Sequence, residues 1–295
     1  MQNLVIKNEL KYYEFHKKRN HNKHQKRNSS RGYTDNTLLV SPIPYSAKAT
    51  KTQQFKNNQE IQSALAGMDF YSGPSDGYLN SDLSKKAIKN FQRVYGLDAS
   101  GKMDEETKNK LSVVSRFRNK CASSENFKKL CNELNFDYKQ KLAFLDTWVF
   151  LRKSMGLNTN QAAGVAGNIF AESAFSSDNA QDNKYPGIHN ADYKYKTDDG
   201  IGYGLIQWTF ENRKIGLKKV ADKINISVSN INAQLCFFKK EMKNSYKKEW
   251  NKIKDVSTYG EASDLFLEKI EKPKSKNYAV RRKYAKSIYN NMKKY

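Results

Sequence analysis

The stretch Ala162-Ala163-Gly164-Val165-Ala166-Gly167-Asn168-Ile169-Phe170-Ala171-Glu172-Ser173 constrains the fold of this chain more than any other. It reads as a helix from Gln161 to Ala174, opened by Asn158 or Thr159 as cap, and it is small and apolar on nearly every side. Glycine inside a helix is unfavourable by roughly 1 kcal/mol per residue. Gly164 and Gly167, with Ala163, therefore point to neighbouring helices packed unusually close. Glu172 ends the apolar run. A carboxyl partly removed from water there is expected to have its pKa raised, because desolvation disfavours the charged form. A general acid near neutral pH needs that property. The competing reading is a helix-end glutamate paired with a nearby Lys or Arg, and spacing alone favours this structural role.

The rest of the chain sets the context. Its 295 residues suggest about two domains of roughly 100–200 residues each. Apolar residues make up 38% and aromatics 12%, enough for a sizeable core despite a mean hydropathy of -0.87. No run of about 18 apolar residues is present, so no membrane-spanning helix is expected. Lys11, His16, Lys17, Lys18 and Arg19 follow the first ten residues where a secretory signal would place its apolar stretch. The expectation is a protein made in the cytoplasm without a signal peptide; if its substrate were a cell wall, it would have to arrive through phage-type release, lysis or a particle. Cys121, Cys131 and Cys236 read as free, reduced thiols. The net charge of +23 admits nucleic acid, an anionic membrane or an anionic wall polymer as partner, and charge does not choose among them.

Residues 1–57 read as a basic, weakly structured arm with a short helix around Leu4–Phe15, in which His16, His21 and His24 are solvated rather than metal ligands. Residues 58–112 read as a three-helix module. One helical period runs through Glu60–Leu65, and a second helix from Ser84 to Tyr95 turns Ala87, Ile88, Phe91 and Val94 to one side before Gly96 stops it. Asp104 caps a third helix running to about Leu111. Ile61-Gln62, Leu65, Asp76-Gly77, Ala87, Phe91-Gln92, Gly96-Leu97, Gly101, Thr107 and Leu111 resemble the small peptidoglycan-binding domain that accompanies many wall hydrolases. The helical pattern alone would fit any small bundle; the resemblance supplies the ligand, bacterial peptidoglycan.

Residues 113–135 read as a helical linker, and residues 136–295 as a second domain. That domain begins with a helix over Gln140–Met155 and continues, after the Gly204–Trp208 block, with three further helices. The glycine-rich stretch Gly200–Thr209 does not fit a phosphate-cradling loop. Gly167-Asn168-Ile169, Glu172-Ser173 and Gly202-Tyr203-Gly204-Leu205, with Gln207-Trp208, instead resemble the phage tail lysozyme family. So do Arg213, Gln234-Leu235, Glu241, Phe266, Ile270-Glu271, Pro273, Arg281-Arg282 and Ala285 downstream. Ser173-Ala174-Phe175 departs from the Ser-Gly pair usual at that point.

The resemblance implies a mainly α fold of the α+β lysozyme-like kind, with a small β or loop region. It also implies cleavage of the peptidoglycan glycan strand with Glu172 as the acid. It places Tyr203, Gln207 and Trp208 along the saccharide groove, although Trp208 could equally be core, and gives Ser173 a role in orienting Glu172. Glycosidases commonly use a second carboxylate, about 5–5.5 Å from the acid for retention or 6.5–9.5 Å for inversion. Asp198 and Asp199 are the first candidates and Asp182 the second, with Asp178 and Asp192 nearby. Lytic transglycosylases manage with one carboxyl, so intramolecular transfer stays open beside hydrolysis. No cofactor or metal is expected: outside the arm His189 is the sole histidine, too few for a zinc site. Cys236 with His189 could form a thiol hydrolase, but Leu235-Cys236-Phe237-Phe238 reads as a buried, inert thiol. A nucleic-acid-binding role would rest on Lys17–Arg31 alone, with no recognition motif to support it. Oligomeric state stays open.

Overall fold

The structure, a computed structural model, describes residues 55–181, 193–273 and 276–295. The expected helix at Leu4–Phe15, nearly all of the basic arm, Asp182, His189 and Asp192 lie outside the described residues. What is described is almost entirely helical, consistent with a mainly α, lysozyme-like fold carrying a helical binding module.

The module comprises α1 (Asn58–Ala66), α2 (Asp82–Tyr95) and α3 (Glu105–Ala122). Two buried glutamines pin it together. Gln62 donates to Asp76 Oδ1 (2.8 Å) and Ser84 Oγ (3.2 Å) and accepts from the Gly77 N–H at 2.7 Å. Gln92 repeats the device, donating to Thr107 Oγ1 and the Lys102 carbonyl (each 2.9 Å) and accepting from the Gly101 N–H at 2.8 Å. Each amide thus satisfies a glycine turn that would otherwise leave buried donors unpaired, at a penalty of about 1–3 kcal/mol per group.

The third helix runs on to Ala122 instead of stopping near Leu111. Leu111, Val114, Arg118 and Cys121 continue a buried stripe at helical spacing, and no glycine or proline interrupts it. The expected linker is consequently ordered, and includes α4 (Glu125–Glu133), capped by Ser124. The module is seated firmly on the second domain. Lys239 Nζ donates to the Val94 carbonyl (2.8 Å) and Ser154 Oγ (3.1 Å), and Asn232 donates to the Met68 carbonyl at 2.9 Å.

The second domain opens with α5 (Tyr138–Lys153) and α6 (Thr159–Ser173), each started by a capping box. After the glycine-rich block come α7 (Glu211–Ile224), α8 (Ile231–Lys243), α9 (Lys247–Asp255), α10 (Tyr259–Phe266) and α11 (Tyr278–Met292). That is five helices where the sequence pattern pointed to three. Among the described residues the β region is reduced to two isolated bridges, Ala180 with Tyr203 and Tyr203 with Trp208.

Helix α6 is the hub, packed between α10 and α11. A Cβ on Gly164 would lie 2.6 Å from the Ser263 nitrogen and the Tyr259 oxygen of α10. One on Gly167 would lie 2.6 Å from the Ala285 nitrogen of α11. The glycines are therefore required by helix-to-helix approach, as the small residues indicated. Beyond α6 the chain turns through two successive left-handed residues, Ala174 (φ 49) and Phe175 (φ 63).

Candidate active site

Glu172 sits on the last turn of α6, its side chain 18% exposed, so it is reachable from solvent while its helix is buried. Its carboxylate accepts from Arg281 Nη2, an α11 side chain only 9% exposed. The other end of the same guanidinium donates to Asn168 Oδ1 at 3.1 Å. Asn168 is fully buried, and its amide donates to the Gly164 and Ser263 carbonyls, each at 3.0 Å. Glu172 is thus positioned through a chain that runs Ser263–Asn168–Arg281 and ties α10, α6 and α11 together. The ion pair anticipated by the structural reading of Glu172 exists, and it holds the carboxylate at the helix end facing out of the core.

A second carboxyl faces this pair. Glu271 closes a π-helical turn, Leu267–Glu271, that ends at Lys272 in the left-handed conformation. Single π turns re-aim side chains and recur at functional sites. The Glu271 Oε1 atom is buried with no hydrogen-bond partner. Burial first, and then the negative charge of Glu172, hold the Glu271 carboxyl well above the usual range, against the opposing pull of Arg281 and Arg213. Sequence reasoning noted Glu271 and Arg281 only as matching positions. The available signal was a carboxylate directly after Ile270, with Phe266 and Leu267 one helical turn before it.

The glycine-rich block is built as a braced loop. Ser173 Oγ donates to the Leu205 carbonyl (2.8 Å), and the Leu205 N–H donates to Gln234 Oε1 (2.9 Å). Gly204, at φ 76, lies so close to Gln234 that a Cβ would meet its amide at 2.6 Å. Ser173 therefore fixes this loop to α6, and the bonds it makes go to backbone carbonyls rather than to Glu172. Gln207, in the left-handed region at φ 50, donates to the Asn179 and Gly204 carbonyls.

Two of the expected groove residues lie inward in this structure. Trp208 is fully buried and donates its indole N–H to Glu241 Oε2 at 2.8 Å, so it offers no ring face to a saccharide. Tyr203 is 5% exposed and packs against Tyr193 and Tyr195, with ring centroids 5.4 and 4.9 Å away. Both were drawn inward because the block folds over its own aromatic residues.

Asp199 accepts from Lys214 Nζ (2.5 Å), the Tyr193 hydroxyl (2.8 Å) and the Ile201 N–H (2.9 Å). Burial raises its pKa and these bonds outweigh that, leaving it below the usual range. Lys214 is itself fully buried, so Asp199 neutralises a lysine inside the domain. Asp198 is exposed. Cys236 is half-buried, and burial raises its thiol pKa, the opposite of what a nucleophilic cysteine needs. An open groove along α10 and α11, lined by Tyr259, Asp264, Arg282 and Lys286 among others, does not include Glu172. Among the described residues no helix is long and apolar enough to cross a membrane.

Comparison with known families agrees with this organisation. A model described as phage tail lysozyme matches residues 144–292, and one described as putative peptidoglycan binding domain matches residues 56–111. No curated protein and no solved structure matches the chain.

Proposed function

We propose, from the premise that this chain belongs to the phage tail lysozyme family and is a cell-wall lytic enzyme, that it cleaves the peptidoglycan glycan strand with Glu172 as general acid. The observation that carries this reading is the Glu172–Arg281 pair at the solvent end of an otherwise buried helix. The acid must lose its proton to the glycosidic oxygen as the bond breaks and positive charge builds on the sugar ring. Arg281 is placed to receive the negative charge that Glu172 then carries.

Hydrolysis in the muramidase manner needs a water-activating or ion-stabilising partner, for which Asp198 and Asp182 stay as candidates. Intramolecular transfer of the lytic transglycosylase kind needs only one carboxyl. It is favoured by the engagement of Asp199 with buried Lys214, which takes that carboxylate out of contention as the partner. Tyr203 and Trp208 support the loop, and Gln207, half-buried at its turn, stays as the saccharide contact of this block. The peptidoglycan-binding module holds the enzyme on its polymer and raises the local substrate concentration, and the basic arm adds attraction to anionic wall polymers. Access to the wall comes through release, lysis or delivery in a particle.

Turbidity clearing of purified walls by wild type and Glu172→Gln tests the acid. Clearing by the variant at the wild-type rate would refute the assignment. Mass spectrometry of the products separates the reactions: new reducing ends mark hydrolysis, 1,6-anhydro ends mark transfer, and freed peptides would reject glycan cleavage.

A further inference from the structure

Every described helix that carries a lysine or arginine also carries an Asp or Glu, with one exception, α11. From Tyr278 to Tyr295 the chain holds six Lys and Arg and no acidic residue. Arg281 turns inward to Glu172. The exposed positions are Ala279, Arg282, Lys283, Lys286, Asn290, Lys293 and Lys294. At 3.6 residues per turn they fall on one side of the helix, within an arc of roughly 120°, with Arg281 on the opposite side. Lys283 and Lys293 stand about 15 Å apart along the axis.

The carboxylates around this face are bonded to other groups. Asp264 accepts from Arg282 Nε (2.8 Å), Glu268 from the Tyr278 hydroxyl (2.8 Å), Glu261 from the Thr258 hydroxyl (2.8 Å) and Glu133 from the Asn291 amide (3.1 Å). Among the described residues none of Lys283, Lys286, Lys293 and Lys294 enters an ion pair. Lys293 and Lys294 complement the negative end of the helix, but Lys283 and Lys286 stand in its middle and gain nothing from it. Like charges at helical spacing repel, an unfavourable effect that an anionic partner reverses. Lys283 and Lys286 also line the open groove of about 720 Å³ against α10, which widens the row into a trough.

We propose that the outer face of α11 binds a linear phosphodiester polymer of the bacterial wall, on the side of the helix opposite the catalytic acid. The inference rests on the wall being the substrate. Three polyanions compete for a lysine row of this kind. A helix that lies on a bilayer sinks an apolar face into the headgroups, and a site for single-stranded nucleic acid stacks bases on aromatic rings. The exposed side of α11 has neither an apolar stripe nor an aromatic ring. It offers point charges along a line, which suit the phosphates of a flexible chain. Because Arg281 leaves from the other side, polymer on this face does not compete with the glycan at Glu172.

The test scores binding without turnover, with the full chain and immobilised poly(glycerol phosphate) as probe across a salt series. Lys283→Gln, Lys286→Gln, Lys293→Gln and Lys294→Gln are combined in one protein. As control, Lys247→Gln, Lys248→Gln, Lys252→Gln and Lys254→Gln remove the same charge from α9, where Glu249 and Asp255 stand among the lysines. All eight positions are exposed, so both proteins should melt close to wild type. The α11 set is expected to bind roughly tenfold or more weakly at ~50 mM salt. The slope of log affinity against log salt should fall by about 2–4, near one per lysine in contact, and by less than about one in the control.

Equal losses in the two sets would show that net charge alone draws the polymer and would overturn the proposal. A loss confined to duplex DNA, with polymer binding untouched, would assign the face to nucleic acid and overturn it as well. Turnover of soluble glycan fragments should match wild type in the α11 set; a fall there would put these lysines in the glycan groove instead. If Glu172→Gln clears walls normally, the acid assignment fails, while the polymer comparison still decides the role of this face.

Discussion

Trp208 gives its indole N–H to Glu241, and the same carboxylate takes two further bonds from Arg213. The indole ring lies 5.4 Å from the Phe237 ring, with no exposed surface. This tryptophan therefore acts on the fold by anchoring the glycine-rich block to α8 and by supplying a donor to a buried carboxylate. Replacing Trp208 with Phe keeps an aromatic ring but removes that donor. We expect a loss of about 1–3 kcal/mol in unfolding free energy, with little change in KM for wall fragments. Denaturant unfolding and steady-state kinetics check this; a large rise in KM at unchanged stability would return Trp208 to the groove.

Arg281 bonds Glu172 with one end of its guanidinium and Asn168 with the other, a geometry that depends on a planar fork. A lysine at that position keeps the charge but cannot hold both partners in fixed directions. Arg281→Lys is expected to lower kcat roughly tenfold to a hundredfold, because a small displacement of an acid from its reacting atom is already costly. The melting temperature should fall less steeply than activity. Wall clearing measured beside thermal unfolding tests the split, and activity within about twofold of wild type would remove Arg281 from the mechanism.

Much of this architecture was legible in the sequence because the signals were local. The caps at Asp104 and Asn158, the Gly96 stop and the small face of α6 each express a short-range requirement, and each is found where the pattern put it. Glu172 was visible as a carboxyl ending an apolar run. Its partners were not, since Arg281 and Glu271 stand 109 and 99 positions further along and meet it only through the packing of α10 and α11 on α6. The surroundings of Asp199 were hidden for the same reason. Proximity in sequence to the glycine block suggested chemistry, whereas buried Lys214, on the following helix, claims the carboxylate. Aromatic residues in that block were equally ambiguous, because an exposed sugar platform and a folded-in loop core use the same residue types.

The departure at Ala174 has a measurable consequence. The residue that ends α6 adopts φ 49 and its N–H closes onto the Phe170 carbonyl at 2.8 Å, the position where a helix most readily accepts glycine. An L-residue with a Cβ is disfavoured there by roughly 1–2 kcal/mol. Ala174→Gly should therefore stabilise the domain by about 1 kcal/mol despite the greater chain entropy of glycine when unfolded. Chemical denaturation measures it, and destabilisation by the glycine would show that the Ala174 methyl makes packing contacts outweighing the backbone strain.

Lys239 provides a pH test of the docking between the module and the second domain. The residue is 7% exposed and its ammonium is held by the Val94 carbonyl and Ser154 Oγ, with Gly96 so near that a Cβ there would come within 2.8 Å of it. Burial pulls its pKa down from 10.5 to about 8, with Lys243 adding to the effect. Between these values the unfolded chain binds more protons at this position than the folded one does. Stability contributed at Lys239 therefore rises with pH through that window and is at its lowest below pH 8. Lys239→Met removes the titration while keeping an unbranched side chain to fill the space. The difference in unfolding free energy between wild type and Lys239→Met should move in favour of wild type as pH is raised from about 8 to about 10.5. A pH-independent difference would mean that Lys239 stays charged in the interface, bonded strongly enough by Val94 and Ser154 to offset its burial.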